Sequence, residues 1–359
     1  MTTPAALIRP EILALTAYHV PPAAGMIKLD AMENPFVLPE SLRAELAAQL
    51  AQVDINRYPD PSGEAVKAAL RTAMAVPEEL ELLLGNGSDE LIQLIALALA
   101  KPGAKILAFE PSFVMYRMIA TMLGVEYVGV PLGPDFALDR AAALAAIAEH
   151  RPALVFVSYP NNPTGNLFPA ADVDALIRAT PGLVVIDEAY SAFAEDSFLP
   201  RVAHYPNAVV MRTLSKLGLA GLRLGYLVGR REWLGEFDKL RLPYNINVLS
   251  NAAACFALRH IGLFDAQTAE LRAEREALFA ALQAMDGVKA YPSQANFVLV
   301  RLADADRVFT DLKAMGILVK RLHGGHPALS GCLRLTVGTP EENNAMLAAL
   351  AASLAKSAA

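Results

Sequence analysis

The chain has 359 residues, 54% of them apolar and 19% charged, with a formal net charge of −6. That length suits two domains better than one core, and the composition excludes a disordered chain. The acidic balance, with no basic block, excludes nucleic acid or an anionic membrane surface as the main partner.

In chain order, residues 1–40 carry several prolines and little periodicity. They read as an extended arm anchored by Ile8, Ile12 and Leu29, which rejoins the C-terminal part of the chain. No charged segment precedes an apolar one there, so a signal peptide is not expected. A helix is predicted over 41–53 with Ser41 as its N-cap, then a turn-rich Asn56-Arg57-Tyr58-Pro59-Asp60-Pro61, then a helix over 63–74. From residue 80 the pattern alternates. Strands are predicted at 82–84, 105–109, 125–130, 154–158, 183–186, 208–211 and 224–228, with helices between them. Such alternation implies a mostly parallel sheet covered on both faces, an α/β architecture with ligands beyond the carboxyl ends of the strands. Residues 234–240 and 250–282 read as helices, the second a long connector. After Gly287 short strands at 297–301, 317–320 and 332–337 mix with helices at 305–315 and 341–354, a smaller α+β unit. The predicted division is 1–40 as arm and part of the small domain, 41–265 as large domain and 266–359 as small domain. The most apolar helix, 91–100, is too short to span a bilayer, and the expected compartment is the cytoplasm. Cys255 and Cys332 lie far apart without a metal-ligand spacing, so they read as reduced thiols and no metal is expected.

The stretch Arg212-Thr213-Leu214-Ser215-Lys216, followed by Gly218, Gly221 and Arg223, comes directly after an apolar strand. A lysine there is either solvated charge or, with its pKa lowered by burial and cations, a Schiff-base former. Thr213, Ser215 and Arg223 suit phosphate oxygens, and a phosphorylated aldehyde, pyridoxal phosphate above all, would suit the set. Gly85-Asn86-Gly87-Ser88-Asp89-Glu90 joins a strand to a helix. Its amides suit a phosphate, although Ser88 could simply cap the helix. Asn162, in Pro160-Asn161-Asn162-Pro163-Thr164-Gly165, sits at the centre of a tight turn and suits a ring hydroxyl. Asp187 ends a buried strand and needs a cation. That cation is a protonated pyridine nitrogen or, as a structural pair, Arg212 or Arg223. Tyr190 could reach the ring oxygen. Phe113 could stack on a cofactor ring, with Tyr116 close by, or belong to the core. Arg334, within an apolar strand, either lies on an exposed face or is aimed at an anion. His323 and His326 imitate a metal pair but lack a third ligand, and read as loop.

These strings resemble the fold-type I family of pyridoxal-phosphate aminotransferases, and the resemblance covers nearly the whole chain. It includes Leu29-Asp30-Ala31-Met32-Glu33-Asn34-Pro35, Arg57-Tyr58-Pro59-Asp60, Asn161-Asn162-Pro163-Thr164-Gly165, Asp187-Glu188-Ala189-Tyr190, Thr213-Leu214-Ser215-Lys216 and Ser330-Gly331-Cys332-Leu333-Arg334. Within that family the chain is most similar to the histidinol-phosphate aminotransferase branch. The resemblance implies a large domain with a mostly parallel seven-stranded sheet sandwiched by helices, plus a smaller α+β domain. It implies that Lys216 carries the cofactor and moves the substrate proton, that Asp187 pairs with the pyridine nitrogen, and that Asn162 and Tyr190 hold the ring hydroxyl. Phe113 stacks on the ring, where relatives often carry tyrosine. Gly87, Ser88, Thr213, Ser215 and Arg223 hold the phosphate, with Asp89 at the same turn. Tyr58 reaches that phosphate from the other subunit of a homodimer. Arg334, helped by Arg321, binds the anionic end of the substrate, and Tyr18 and Asn34 close the site. Met32 stands where many relatives carry asparagine and is given no polar role. The implied substrates are histidinol phosphate and 2-oxoglutarate, with glutamate as product. An aromatic amino acid transaminase and a threonine-phosphate-type decarboxylase remain open as alternatives.

Overall fold

A computed structural model describes residues 2–17 and 21–356. Its strands, in chain order, are β1 (Ile27–Leu29), β2 (Glu81–Gly85), β3 (Lys105–Glu110), β4 (Glu126–Pro131), β5 (Leu154–Ser158), β6 (Leu183–Asp187), β7 (Ala208–Thr213), β8 (Gly225–Gly229), β9 (Lys289–Tyr291), β10 (Phe297–Arg301), β11 (Ile317–Arg321) and β12 (Cys332–Thr336). A seven-stranded sheet runs β2-β8-β7-β6-β5-β3-β4. The pairs from β4 through β7 are parallel, and β8 is antiparallel to both its neighbours. The predicted mostly parallel sheet is therefore present, each strand within a residue or two of its expected span.

The reason lies in the residues. β5, β6 and β8 are buried at every position, the mark of strands covered on both faces. Their side chains alternate between two apolar cores. Val155, Val157, Val184 and Ile186 enter one, while Leu154, Phe156, Leu183 and Val185 enter the other. A second sheet of five strands runs β1-β11-β12-β10-β9 over a third core that includes Leu299's neighbours Val298 and Val300. β1 comes from the N-terminal segment and pairs parallel with β11, Ile27 opposite Ile317. The helix Ile261–Gln283 links the cores: Phe264 packs in the first, Leu271, Leu278 and Leu282 in the third.

Three local expectations are corrected. The first helix of the large sheet's layer is Glu40–Leu50, entered from Pro39 with no side-chain cap, so Ser41 lies inside its first turn. Residues 250–282 are two helices, Val248–Arg259 and Ile261–Gln283, broken at His260. The first of them is capped by Asn247, whose side chain accepts from Ser250 N, a signal that alanine-rich periodicity hides. The N-terminal segment is not wholly extended. Pro4–Leu7 and Pro10–Leu13 are single helical turns, each opened by proline at a position where no N–H is needed. Among the described residues no helix is long and apolar enough to cross a membrane.

Candidate active site

The carboxyl ends of β2, β3, β5, β6 and β7, with the start of the antiparallel β8, converge on one cavity of about 110 Å³. β2 is followed by Gly87, which stands at φ +85 before the helix Ser88–Leu99. A Cβ at Gly87 would lie 2.9 Å from Arg223 Nη2, and one at Gly225 would lie 2.7 Å from Ser88 N. Glycine at both positions lets the start of β8 press against the helix N-terminus. Ser88 is the first residue of that helix, not its cap, and makes no capping bond. Ser88 lines the cavity together with Thr213, Ser215 and Arg223. The Thr213 and Ser215 hydroxyls are 2.9 Å apart, and Ser215 N donates to Thr213 Oγ1 at 3.1 Å. Arg223 pairs with Asp89 at 3.5 Å, both half-exposed. Helix-end amides, three hydroxyls and a guanidinium form a ready anion site.

Lys216 lies on one π-helical turn, Ser215–Leu219. Its Nζ donates to the Ala31 carbonyl at 3.0 Å, so the N-terminal segment holds the amine. Burial lowers its pKa to about 8, aided by the positive charges of Arg334 and Arg223 against the opposing pull of Glu33 and Asp89. Asn34 clamps this turn. Its Nδ2 donates to the Leu217 carbonyl at 3.0 Å and to Gln267 Oε1 at 3.1 Å, and its Oδ1 accepts from Phe36 N.

Asp187 ends β6 at the floor of the cavity. The Tyr116 hydroxyl donates to Oδ2 at 2.6 Å and Ala189 N donates to Oδ1 at 3.1 Å. Burial raises the carboxyl to about 6, against the lowering effect of these two bonds. The alternative of a structural ion pair with Arg212 or Arg223 is corrected: Arg212 joins Glu188 at 2.8 Å and Arg223 joins Asp89. Tyr116, read from the sequence only as a neighbour of Phe113, is the hydrogen-bond partner of Asp187. The signal was its place three residues after Phe113, one helical turn along.

Phe113, Asn162 and Tyr190 also line the cavity, with Ser158 and Met32, neither of which the sequence singled out for a role. Arg334 is buried, which rules out the exposed-face alternative. It donates to Asn162 Oδ1 at 2.6 Å and to the Asp30 carbonyl at 2.9 Å. Arg334 opens onto an adjoining cavity of about 470 Å³ that shares Met32, Phe113 and Asn162 with the first. Lys320, not Arg321, is opposite Arg334 in register. Arg321 borders the same outer cavity, with its guanidinium on Asp306 at 2.5 Å. Tyr58 is apart from both cavities, 80% exposed and stacked on Tyr244 at 4.4 Å. Tyr18 lies outside the described residues. Among the described residues no three His, Cys, Asp or Glu side chains group as metal ligands.

The residues present fit a phosphorylated pyridine aldehyde. A glycine-shaped anion cradle, a partly buried amine and a buried carboxylate that no described cation meets surround one cavity, with Phe113 on its wall. Comparison with known proteins agrees. A family model, aminotransferase class I and II, matches residues 24–350, and the chain belongs to that family. A histidinol-phosphate aminotransferase of Chromobacterium violaceum is 60% identical over 344 residues, 96% of this chain and 97% of the relative. Histidinol-phosphate aminotransferase 2 of Cupriavidus pinatubonensis is 55% identical over 97% of this chain and 96% of its own. The solved histidinol-phosphate aminotransferase of Sinorhizobium meliloti, in complex with pyridoxal-5'-phosphate, superposes with a TM-score of 0.87 at 26% identity, covering 99% of each chain. Within the family, the chain takes its place in the histidinol-phosphate aminotransferase branch.

Proposed function

We propose that the chain is a transaminase that moves the amino group of L-histidinol phosphate to 2-oxoglutarate in histidine biosynthesis. The products are imidazole-acetol phosphate and L-glutamate. The observation that carries the reading is a partly buried amine of lowered pKa, Lys216, set between Asp187 and the buried Arg334 in a chain 60% identical to a protein of that name. Pyridoxal phosphate, when bound, supplies an aldehyde that links to amines and a pyridine ring that withdraws electrons from the adjoining carbon.

The chain's own groups do the rest. Gly87, Ser88, Thr213, Ser215 and Arg223 hold the phosphate, with Asp89 at the same turn on Arg223. Asp187 holds the positive pyridine nitrogen, and Asn162 and Tyr190 hold the ring hydroxyl, while Phe113 covers one ring face. Lys216 Nζ takes the proton from the substrate carbon and returns it, near the pH at which it is half neutral. Arg334, helped by Arg321 on the wall of the same outer cavity, takes a phosphate in one half-reaction and a carboxylate in the other, both suited to a guanidinium fork. Tyr18 closes the substrate side, and Asn34 holds the turn that carries Lys216. Residues 41–265 carry the cofactor, and the arm with 266–359 carries the substrate side.

A second copy completes the site. Val37, Ile55 and Tyr58, with Leu242 two residues before the Tyr244 that stacks on Tyr58, are each at least 72% exposed, apolar surface that a second copy would cover. A homodimer covers it and delivers Tyr58 to the other subunit's phosphate. The enzyme works in the cytoplasm.

The test is the absorption spectrum of the cofactor-loaded protein. Histidinol phosphate alone is expected to abolish the visible band and leave pyridoxamine phosphate, and 2-oxoglutarate is expected to restore it. This donor has no carboxylate, so a decarboxylase leaves the band in place, and a band that stays overturns the reading. Lys216→Ala is expected to abolish turnover, at least a 10³-fold loss.

A further inference from the structure

Met32 has no role in the proposed reaction, yet the structure fixes it with unusual care. Its φ is +53, a backbone region that side chains with a Cβ seldom enter. Two buried bonds hold it there. Its N–H donates to Thr336 Oγ1 at 3.1 Å, and its carbonyl accepts from Asn296 Nδ2 at 3.0 Å. Such over-determined backbone is a pointer to function. The residue before it, Ala31, gives its carbonyl to Lys216 Nζ. The Met32 side chain lines both the cofactor cavity and the outer cavity. Its sulfur accepts from the Tyr190 hydroxyl at 3.4 Å. Tyr190 itself is buried, its ring set edge-on to Phe297 at 5.3 Å.

A thioether is a weak acceptor. A tyrosine hydroxyl resting on it keeps its direction and loses little when a better acceptor arrives. We propose that Met32 is a positioning residue that holds the Tyr190 hydroxyl between its sulfur and the ring oxygen of the cofactor, and so sets how strongly Lys216's linked nitrogen holds its proton. This rests on the cofactor reading above. A firmer Tyr190 bond to the ring oxygen favours the unprotonated state of the neighbouring nitrogen, and a weaker one favours the protonated state. The charged groups that face Lys216 are Arg334, Arg223, Glu33 and Asp89, and Asp187 lies across the cavity; a change at Met32 leaves all of them in place.

Met32→Leu and Met32→Asn separate the sulfur's role from packing. Leucine places a methyl at the δ position and accepts nothing. Asparagine places an oxygen there and tolerates positive φ. The readout is the pH midpoint of the visible band of the pyridoxal-phosphate-loaded protein. With leucine the sulfur no longer shares the Tyr190 hydroxyl, its bond to the ring oxygen firms, and the midpoint is expected to fall by about half a pH unit, the size of one weak hydrogen bond. Asparagine, a stronger acceptor, is expected to return it to the native value or above. In a Tyr190→Phe background Met32→Leu is expected to have no effect. A midpoint that leucine does not move, or a shift that persists without the Tyr190 hydroxyl, overturns the proposal. If the unaltered protein forms no visible band with added cofactor, the cofactor reading fails, and the two failures are thereby distinct.

Discussion

Asp187 and Glu188 are neighbours at the end of β6, both buried, both carboxylates. Glu188 is complete within the chain. It accepts from Arg212 Nε at 2.9 Å and Nη2 at 2.8 Å, from the Ser197 hydroxyl at 2.9 Å and from Phe198 N at 2.5 Å. Among the described residues Asp187 receives one phenol and one amide, and no cation. A buried charge costs several kcal/mol unless it is paired. The first carboxylate therefore belongs to the architecture, and the second is arranged for a positive partner that no described residue supplies. A pyridine nitrogen that must stay protonated is such a partner.

Replacing Asp187 tests the comparison most severely. Asp187→Asn removes one side of a buried pair with the cofactor, a loss of roughly 3–5 kcal/mol, which is a fall of about 10²–10⁴-fold in turnover. The cofactor-free protein is expected to respond in the opposite sense. The carboxyl stands at about 6 when folded against an ordinary value of 3.8. Between those two pH values the folded state binds more protons than the unfolded, so this group's contribution to stability falls as pH rises through that window and stays lost above it. Asparagine carries no such penalty. The cofactor-free variant should be more stable than the native protein at pH 7, by up to about 3 kcal/mol, with the gap closing near pH 4. Denaturant titration at the two pH values checks this, and a variant less stable at pH 7 would contradict a cation-hungry Asp187.

The same operation on the neighbour should give the reverse. Glu188→Gln or Arg212→Met leaves a buried partner uncompensated and is expected to destabilise by roughly 3–5 kcal/mol, with and without cofactor alike. Replacing both restores part of the loss, since neither charge is then stranded. A single variant within 1 kcal/mol of the native protein would mean that the pair is not what completes Glu188.

The sequence made the floor of the site legible to different depths for physical reasons. Strand ends are readable because buried strands are continuous apolar runs, and Asp187 and Arg212 interrupt two of them at the rim. Lys216 stood out because a cation after such a run is expensive unless used. What the sequence did not show is pairing across long separations. Tyr116 meets Asp187 across 71 positions and Arg334 meets Asn162 across 172. No local periodicity encodes either contact. The Asp187-Glu188 doublet hid its asymmetry for the same reason, since adjacent strand-end side chains diverge, and only one of them can reach Arg212. Helix starts are hidden from a search for capping side chains where proline or glycine sets them by backbone geometry, as at Pro39 and Gly87.

The smallest expected effect refines the comparison most. Tyr116→Phe removes one hydroxyl from beneath Asp187 and nothing else of size. The ring is wholly buried and stacked on Phe156 at 4.4 Å with planes 3° apart, so phenylalanine keeps the packing. The lost bond lowers the carboxyl pKa in the native protein, so Asp187 should move upward from about 6, toward neutrality. A carboxyl less often ionised at pH 7 holds a cationic nitrogen less well. Pyridoxal phosphate affinity should fall about 3–10-fold at pH 7, the worth of one charge-assisted hydrogen bond or less, and recover as pH rises and the carboxyl ionises. The measurement is cofactor affinity by absorbance between pH 6 and pH 8.5. A fall of equal size at every pH would assign Tyr116 to packing alone. A fall confined to the acid side would show that a phenol keeps this carboxylate charged until its cation arrives, as Arg212 does permanently for Glu188.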